Sequence, residues 1–145
     1  METVLELLRE RPRRLVTATA RETVLEATQR MNDEGVGSVL VMEGRRLVGI
    51  FTERDVLRRV VGDLRPPERT LVAEVMTTDV VCCPPEASFD DLAEVMRRRR
   101  IRHVPVVDAE GDVVGLVSIG DVNACRFTRC EVALHQVEDY VWRRA

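Results

Sequence analysis

Two short segments of this sequence combine a hydroxyl side chain with a carboxylate at the same spacing. They are Thr52-Glu53-Arg54-Asp55 and Ser118-Ile119-Gly120-Asp121. Each follows an apolar stretch and opens a helix-like pattern, which places the hydroxyl at the start of a helix. The local pattern alone favours an N-cap, in which these side chains satisfy unpaired backbone amides and complement the helix dipole.

The same residue types would also suit a nucleotide. Free amides and a hydroxyl at a helix start favour phosphate, and a fixed carboxylate accepts two hydrogen bonds from a ribose diol. The sequence contains neither a G-x-x-x-x-G-K-[ST] loop nor a G-x-G-x-x-G motif, so a P-loop NTPase and a Rossmann site are both unsupported. We therefore expect any nucleotide here to be bound and not processed.

Both segments belong to an internal repeat. The stretch GIFTERDVLRR from Gly49 returns as GLVSIGDVNAC from Gly115, and capped helix patterns start at Thr23 and Ser88. Each copy is predicted to contain a leading strand, a helix, a hairpin (38–42 with 47–51, and 103–107 with 113–117) and a second helix. Two copies favour a pseudo-twofold pair sharing one core over an open solenoid.

Breaks in composition suggest the domain limits. The predicted units are a first repeat at 1–62, a linker at 63–71 around Pro66-Pro67, a second repeat at 72–128 and an amphipathic C-terminal helix at 129–145. The leading strand of the first copy is predicted at 15–18. Residues 72–76 echo residues 4–8, so each copy is also expected to begin with a short lead-in helix.

Composition narrows the functional class. The chain of 145 residues is 45% hydrophobic and 32% charged, which indicates one globular domain, and it shows neither a long apolar span nor a signal-peptide pattern. We expect a cytoplasmic protein without a membrane partner. A net charge of −3 and 3% aromatic residues argue against nucleic acid. The run Arg97–Arg100 is interpreted as a solvated helix end.

The sequence offers little for catalysis or metal binding. Cys82, Cys83, Cys125 and Cys130 are expected to be free thiols, and the Cys125, Cys130 and His135 set is too widely spaced and too small for a metal site. An enzymatic alternative built from Ser118, Asp121 and His103, or from a cysteine with His103, is disfavoured, since nothing orients a base toward the hydroxyl. No catalytic residue, metal or cofactor is predicted.

The doubled motif carries a family resemblance. From Val4 to about Thr128 the chain resembles a tandem pair of CBS (cystathionine-β-synthase) domains, a Bateman module, through the segments Gly49–Val56, Arg102–Asp108 and Gly115–Val122. The resemblance implies an α/β (α+β) sandwich of two pseudo-twofold-related β-α-β-β-α units packed sheet to sheet. It also implies that two modules join as a homodimer.

The resemblance further implies adenosine-binding clefts between the repeats. The ribose aspartates would be Asp55 and Asp121, with Thr52 and Ser118 as hydroxyl partners and Arg54 toward a phosphate in the first cleft. Adenine would lie against the leading and first hairpin strands at residues 17–18, 36–39, 82–83 and 101–105. The predicted contacts within these ranges are Thr17, Ala18, Ser38, Cys82, Arg102, His103 and Pro105.

The sequence thus predicts a regulatory module that senses AMP, ADP, ATP, S-adenosylmethionine or NAD and signals to an unknown effector protein through a conformational or oligomeric change. One alternative is a structural or protein-interaction module whose clefts are vestigial. A weaker alternative is a nucleic-acid binder that uses the arginine run.

Overall fold

The computed structural model describes residues 2–130, which form two successive copies of one arrangement. The first copy comprises α1 (Val4–Glu10), β1 (Thr17–Ala18), α2 (Val24–Glu34), β2 (Ser38–Glu43), β3 (Arg46–Thr52) and α3 (Glu53–Asp55), which continues as a π-helical segment, Val56–Val61. The second comprises α4 (Val72–Val75), α5 (Phe89–Arg99), β4 (His103–Val107), β5 (Val113–Ser118) and α6 (Ile119–Cys130). The predicted mixed α/β class is confirmed, whereas the predicted C-terminal helix lies outside the described residues from position 131 onward.

Two small sheets form the frame. β1 pairs in parallel with β2, and β2 pairs antiparallel with β3. In the second copy β4 and β5 form an antiparallel pair, and the leading strand is reduced to one parallel bridge between Cys83 and Val106. Both predicted hairpins are confirmed, and each turn uses a glycine in the left-handed region, Gly44 at φ 61° and Gly111 at φ 88°.

The helix preceding each hairpin starts at the predicted cap. Thr23 Oγ1 accepts a hydrogen bond from the Glu26 amide (3.2 Å), while the Glu26 carboxylate accepts one from the Thr23 amide (3.0 Å). Ser88 Oγ accepts from the Asp91 amide at 3.4 Å. α2 and α5 thereby begin at equivalent positions, and each buries its apolar stripe against its own hairpin.

The lead-in helices are exchanged between the copies. Val4 and Leu7 of α1 lie in the apolar cluster built around α5, β4 and β5, whereas Val72 and Val75 of α4 lie in the cluster around α2, β2 and β3. The prediction of one shared core is therefore wrong, because the described residues form two apolar clusters. Each cluster is completed by a helix from the other repeat.

The repeated glycine of the hairpin makes this exchange possible. A Cβ added to Gly115 would lie 2.6 Å from Leu8 Cδ1, and one added to Gly49 would lie 2.7 Å from Met76 Sδ. Both distances are far below a normal carbon contact. Glycine at these strand positions is therefore the residue that admits the crossing lead-in segment.

The arginine run ends α5 at the surface, as predicted. Arg97 Nε and Arg98 Nε donate to Glu94 at 2.9 and 2.6 Å, and these bonds lower the pKa of the Glu94 carboxyl to about 2. The side chains of Arg97 and Arg98 are exposed. Within residues 2–130, no helix has the length and apolar character needed to cross a membrane.

Candidate functional site

The two hydroxyl–carboxylate segments both form reciprocal helix caps. Thr52 Oγ1 accepts from the Asp55 amide at 3.4 Å, and Asp55 Oδ2 accepts from the Thr52 amide at 3.0 Å. Asp121 Oδ2 accepts from the amide and the hydroxyl of Ser118, at 2.9 and 2.8 Å. The capping interpretation is confirmed. It uses Oδ2 of each carboxylate and leaves Oδ1 pointing away from the cap.

The cap at Asp55 forms part of the wall of an open cleft between the two repeats. Its volume of about 590 Å³ falls within the usual range for small-molecule sites. Among the predicted residues it brings together Thr52, Arg54 and Asp55 from the first copy with Arg102 and His103 from the second. The cleft also contains Gly37 and Ile101, which lie in the segments predicted to face adenine. It is completed by residues that were not predicted as ligand contacts: Ile50, Glu53, Leu57, Arg58, Arg59 and Thr77.

The outer oxygen of Asp55 has only long contacts. Thr77 Oγ1 lies 3.4 Å from Asp55 Oδ1 as a hydrogen-bond donor, and Arg59 Nε lies 3.6 Å from the same oxygen. Thr77 reaches this position because the chain leaving α4 pairs with Ile50 of β3 through two backbone hydrogen bonds of 2.9 Å. The second repeat thus supplies one wall of the first repeat's site, and Asp55 Oδ1 retains capacity to accept further hydrogen bonds.

The cleft carries more positive than negative groups. Its lining includes four guanidinium groups and two carboxylates: Arg54, Arg58, Arg59, Arg102, Glu53 and Asp55. Two of the arginines also bind backbone carbonyls across the repeat boundary, Arg54 to Arg100 O at 3.0 Å and Arg59 to Val75 O at 3.1 Å. These contacts hold the guanidinium groups beside the cleft, where they favour an anionic ligand.

His103 sits at the other wall of this cleft, at the start of β4 and across the strand pair from Ser118. Burial lowers the pKa of His103, and the nearby Glu53 carboxylate opposes this effect only in part. The imidazole is therefore predominantly neutral near pH 7. A neutral ring can both donate and accept a hydrogen bond, which suits the edge of a nucleobase.

The remaining first-copy residues of the prediction lie elsewhere. Ser38 is buried and pairs in register with Thr52, so it supports the cap without lining the cleft. Thr17 and Ala18 line a separate groove, where Arg30 Nη1 donates to Thr17 O at 2.8 Å.

The second-copy residues are similarly divided. Cys82 lines a surface groove with Arg46 and Val107, and Pro105 is buried, its carbonyl accepting from the Cys83 amide at 3.1 Å. Ser118 and Asp121 form the second cap, and Arg13 Nη2 lies 2.7 Å from Asp121 Oδ1. The predicted residues therefore line one of the two predicted clefts, the one at Asp55. At the second aspartate, Asp121, an arginine contacts the carboxylate.

The nucleophile candidates lack activation. Burial raises the pKa of the Cys83 thiol to about 11, so it is protonated near neutral pH. Ser118 donates its hydroxyl proton to Asp121 Oδ2 at 2.8 Å, and the same hydroxyl oxygen caps the Asp121 amide at 3.3 Å, so both groups are engaged in the helix cap. Within residues 2–130, no group of three potential metal ligands comes together.

Sequence reasoning missed Arg59, Thr77 and Arg13. Arg59 follows Asp55 by one helical turn, so its proximity could have been read from the spacing. Thr77 and Arg13 follow the lead-in helices and reach the other repeat's aspartate only through the exchange of those helices. No local pattern signals that contact.

The fold and the cleft together define a class: a two-repeat α/β module with capped carboxylates at equivalent positions and a small-molecule cleft between the copies. The family model described as CBS domain matches residues 4–62 and 72–125. The chain therefore belongs to the CBS domain family, with two CBS repeats in tandem, and the resemblance seen in the sequence is confirmed.

Relatives agree with this assignment. The CBS domain-containing protein YhcV of Bacillus subtilis is 34% identical over 108 residues, covering 74% of this chain and 76% of YhcV. The matched region covers 52% of the mitochondrial protein CBSX3 of Arabidopsis thaliana and 72% of this chain, at 37% identity.

Solved structures share the fold. The CBS-domain containing protein ATU1752 from Agrobacterium tumefaciens has a TM-score of 0.79 and 35% identity, over 87% of this chain and 99% of that one. The CBS domain protein PAE2072 from Pyrobaculum aerophilum, solved in complex with AMP, has a TM-score of 0.74 and 28% identity, over 82% of this chain and 88% of PAE2072.

Proposed function

We propose that this protein is a non-catalytic regulatory module that binds an adenosine nucleotide in the cleft between its two CBS repeats. The observation that carries the proposal is the Asp55 carboxylate, which is fixed by its cap through Oδ2 and faces the cleft with a weakly engaged Oδ1. Such a carboxylate accepts the two hydroxyl hydrogen bonds of a ribose. The complex of PAE2072 with AMP supports the same ligand class.

The cleft favours a ligand with a phosphate. Four guanidinium groups line it, those of Arg54, Arg58 and Arg59 from the first repeat and that of Arg102 from the second, beside the neutral His103. We assign Asp55 and Thr52 to the ribose, Arg54 and its neighbours to phosphate, and His103 to the base. AMP, ADP and ATP satisfy this arrangement more fully than an uncharged adenosine.

The signal would arise from the shared construction of the cleft. Because Thr77, Arg102 and His103 belong to the second repeat and Asp55 to the first, a bound ligand contacts both repeats at once. A ligand that binds one relative arrangement better than another shifts the population toward it. We propose that an effector protein in the cytoplasm responds to this shift in conformation, and thereby to the bound nucleotide.

A homodimer would transmit the same change. The helix that follows Asp55 exposes Val61 at 61%, and α6 exposes Phe127 at 47% at the equivalent position of the second repeat. Exposed apolar side chains at equivalent positions of both repeats would suit a twofold contact with a second copy. Val61→Glu with Phe127→Glu should convert a dimer into a monomer, as measured by light scattering during size-exclusion chromatography.

Thermal-shift titration tests the proposed binding. A ligand at about 100 times its dissociation constant adds about 2.7 kcal/mol to the free energy of unfolding. AMP, ADP, ATP, S-adenosylmethionine and NAD would be titrated into the wild type, Asp55→Ala and the control Asp63→Ala, which removes an exposed carboxylate outside the cleft. A shift with the wild type and Asp63→Ala that is lost in Asp55→Ala supports the proposal.

The competing function is a protein-interaction module with vestigial clefts. It predicts that none of the five compounds changes the melting temperature of any variant. Disruption of assembly by the Val61→Glu and Phe127→Glu changes is expected under both functions, so the response to the ligands decides between them. The two candidate functions are therefore separated by the same set of proteins.

A further inference from the structure

The two equivalent aspartates meet different side chains from the incoming lead-in segments. Asp55 Oδ1 faces the hydroxyl of Thr77 at 3.4 Å, with Arg59 of its own helix at 3.6 Å, while Asp121 Oδ1 faces the guanidinium of Arg13 at 2.7 Å. In both cases the contact residue follows the lead-in helix of one repeat and contacts the aspartate of the other repeat. Asp55 lines an open cleft and both contacts of its Oδ1 are long, whereas the Arg13 guanidinium lies directly against Asp121 Oδ1.

Asp121 presents an incompletely satisfied buried oxygen. Its side chain is 4% exposed, and its Oδ2 takes both cap bonds from Ser118. The Arg13 guanidinium is close enough to form an ion pair with Oδ1, but off the direction of a hydrogen bond, so this oxygen makes no hydrogen bond among the described residues. A buried carboxylate oxygen in this state is an unused acceptor for hydroxyl donors.

Arg13 is half-exposed although its guanidinium contacts a buried carboxylate. Its side chain is 55% exposed, while the carboxylate that it contacts is buried. The ion pair compensates the buried charge of Asp121, so a ligand that displaces Arg13 must replace that compensation with its own hydrogen bonds. A ribose diol is uncharged and supplies only hydroxyl donors.

If Arg13 were displaced from the second site, the cap segment there would offer no other guanidinium group. The residue equivalent to Arg54 is Gly120, which has no side chain to meet a phosphate. A nucleotide entering this site would therefore disrupt the Arg13–Asp121 pair without gaining the arginine contact that the first cleft offers. At Asp121, the ion pair with Arg13 is therefore favoured over a bound nucleotide.

We propose that Arg13 is a specificity-determining residue that closes the second, Asp121 site, so that each chain binds one nucleotide, in the Asp55 cleft. The inference rests on the proposed function and extends it to the number of ligands bound. Removing the guanidinium while keeping Asp121 opens a second ribose acceptor in the same chain.

Isothermal titration calorimetry with AMP measures how many AMP molecules bind each chain. The wild type is expected to bind one AMP per chain, and Arg13→Ala is expected to bind two. The control Arg11→Ala removes an exposed arginine from the same segment and should still bind one. Adding Asp121→Ala to Arg13→Ala should restore a stoichiometry of one, because the newly opened acceptor is lost.

The remaining outcomes separate this inference from the proposed function. Two AMP molecules per wild-type chain, or one per chain in both Arg13→Ala and the longer-stemmed Arg13→Gln, would overturn the role of Arg13 while leaving the Asp55 cleft intact. Residual AMP binding in Asp55→Ala at wild-type affinity would place the ligand elsewhere and overturn the inference. Absence of AMP binding by the wild type and every variant would overturn the proposed function and the inference together.

Discussion

Asp55 and Asp121 hold equivalent places in the two repeats and make the same cap, yet their outer oxygens face Thr77 and Arg13 respectively. The difference arises from the exchange of the lead-in helices, because each carries its own sequence into the other repeat. The two repeats therefore share the same local motif but differ in the residues around their aspartates. The open cleft lies at Asp55.

The exchange can be tested through Gly115, which lies beneath Leu8. Gly115→Val should reduce the free energy of unfolding by about 1–3 kcal/mol, because the added side chain overlaps Leu8. Chemical denaturation measures the change. Gly120→Ala is the control, since its Cβ would meet only Ser118 Oγ at an ordinary 3.5 Å.

A double variant sharpens this prediction. Leu8→Ala should remove the overlap, so the Gly115→Val and Leu8→Ala changes together should cost less than the sum of their separate effects. Strictly additive costs would show that α1 does not cross over Gly115. They would also remove the reason for Arg13 to approach Asp121.

The phosphate assignment predicts a difference between charged and uncharged ligands. Arg54→Gln should weaken AMP binding by about 10-fold, the value of one charge-assisted hydrogen bond, and should leave adenosine binding almost unchanged. Titration calorimetry with both ligands measures the effect. Arg98→Gln, a surface change on α5, should alter neither affinity.

Salt provides an independent check on that assignment. AMP affinity should decrease with increasing ionic strength, whereas adenosine affinity should respond little. Equal loss of both ligands in Arg54→Gln would instead indicate that the contact from Arg54 to the Arg100 carbonyl matters for the shape of the cleft.

His103 predicts a pH dependence of stability. Burial lowers its pKa in the folded state, so the unfolded chain binds the proton first as the pH falls through about 6.5. The free energy of unfolding should therefore decrease from pH 7.5 toward lower pH, and the loss should be smaller in His103→Gln. Melting curves of both proteins between about pH 7.5 and pH 5.5 make the comparison. Parallel curves would contradict the lowered pKa of His103 in the folded state.

Much of the fold could be predicted because its signals are local. Thr23 with Glu26 marks the start of α2, Gly44 marks a hairpin turn, and the caps at Thr52 and Ser118 follow from residues three positions apart. These features depend on neighbours in the chain. Their interpretation therefore needed no knowledge of the tertiary structure.

The composition of the cleft could be predicted only in part. Thr52, Arg54 and Asp55 share one short segment, and Arg102 and His103 follow from the resemblance. Thr77 reaches the cleft, and Arg13 reaches Asp121, only by crossing between the repeats. Thr17 and Cys82 were assigned from the resemblance and line other grooves. Packing between the copies decides these contacts, and a periodic pattern within one copy does not encode them.

The central claim is that Asp55 binds the ribose of an adenosine nucleotide, and it is tested most directly by comparing AMP with 2′,3′-dideoxy-AMP in the wild type and in Asp55→Ala. Wild-type protein should prefer AMP by about 10- to 100-fold, the value of hydrogen bonds to a charged acceptor. The preference should vanish in Asp55→Ala, with both ligands binding about as weakly as the dideoxy compound binds the wild type. A preference of equal size in both proteins would contradict the claim and place the ribose away from Asp55.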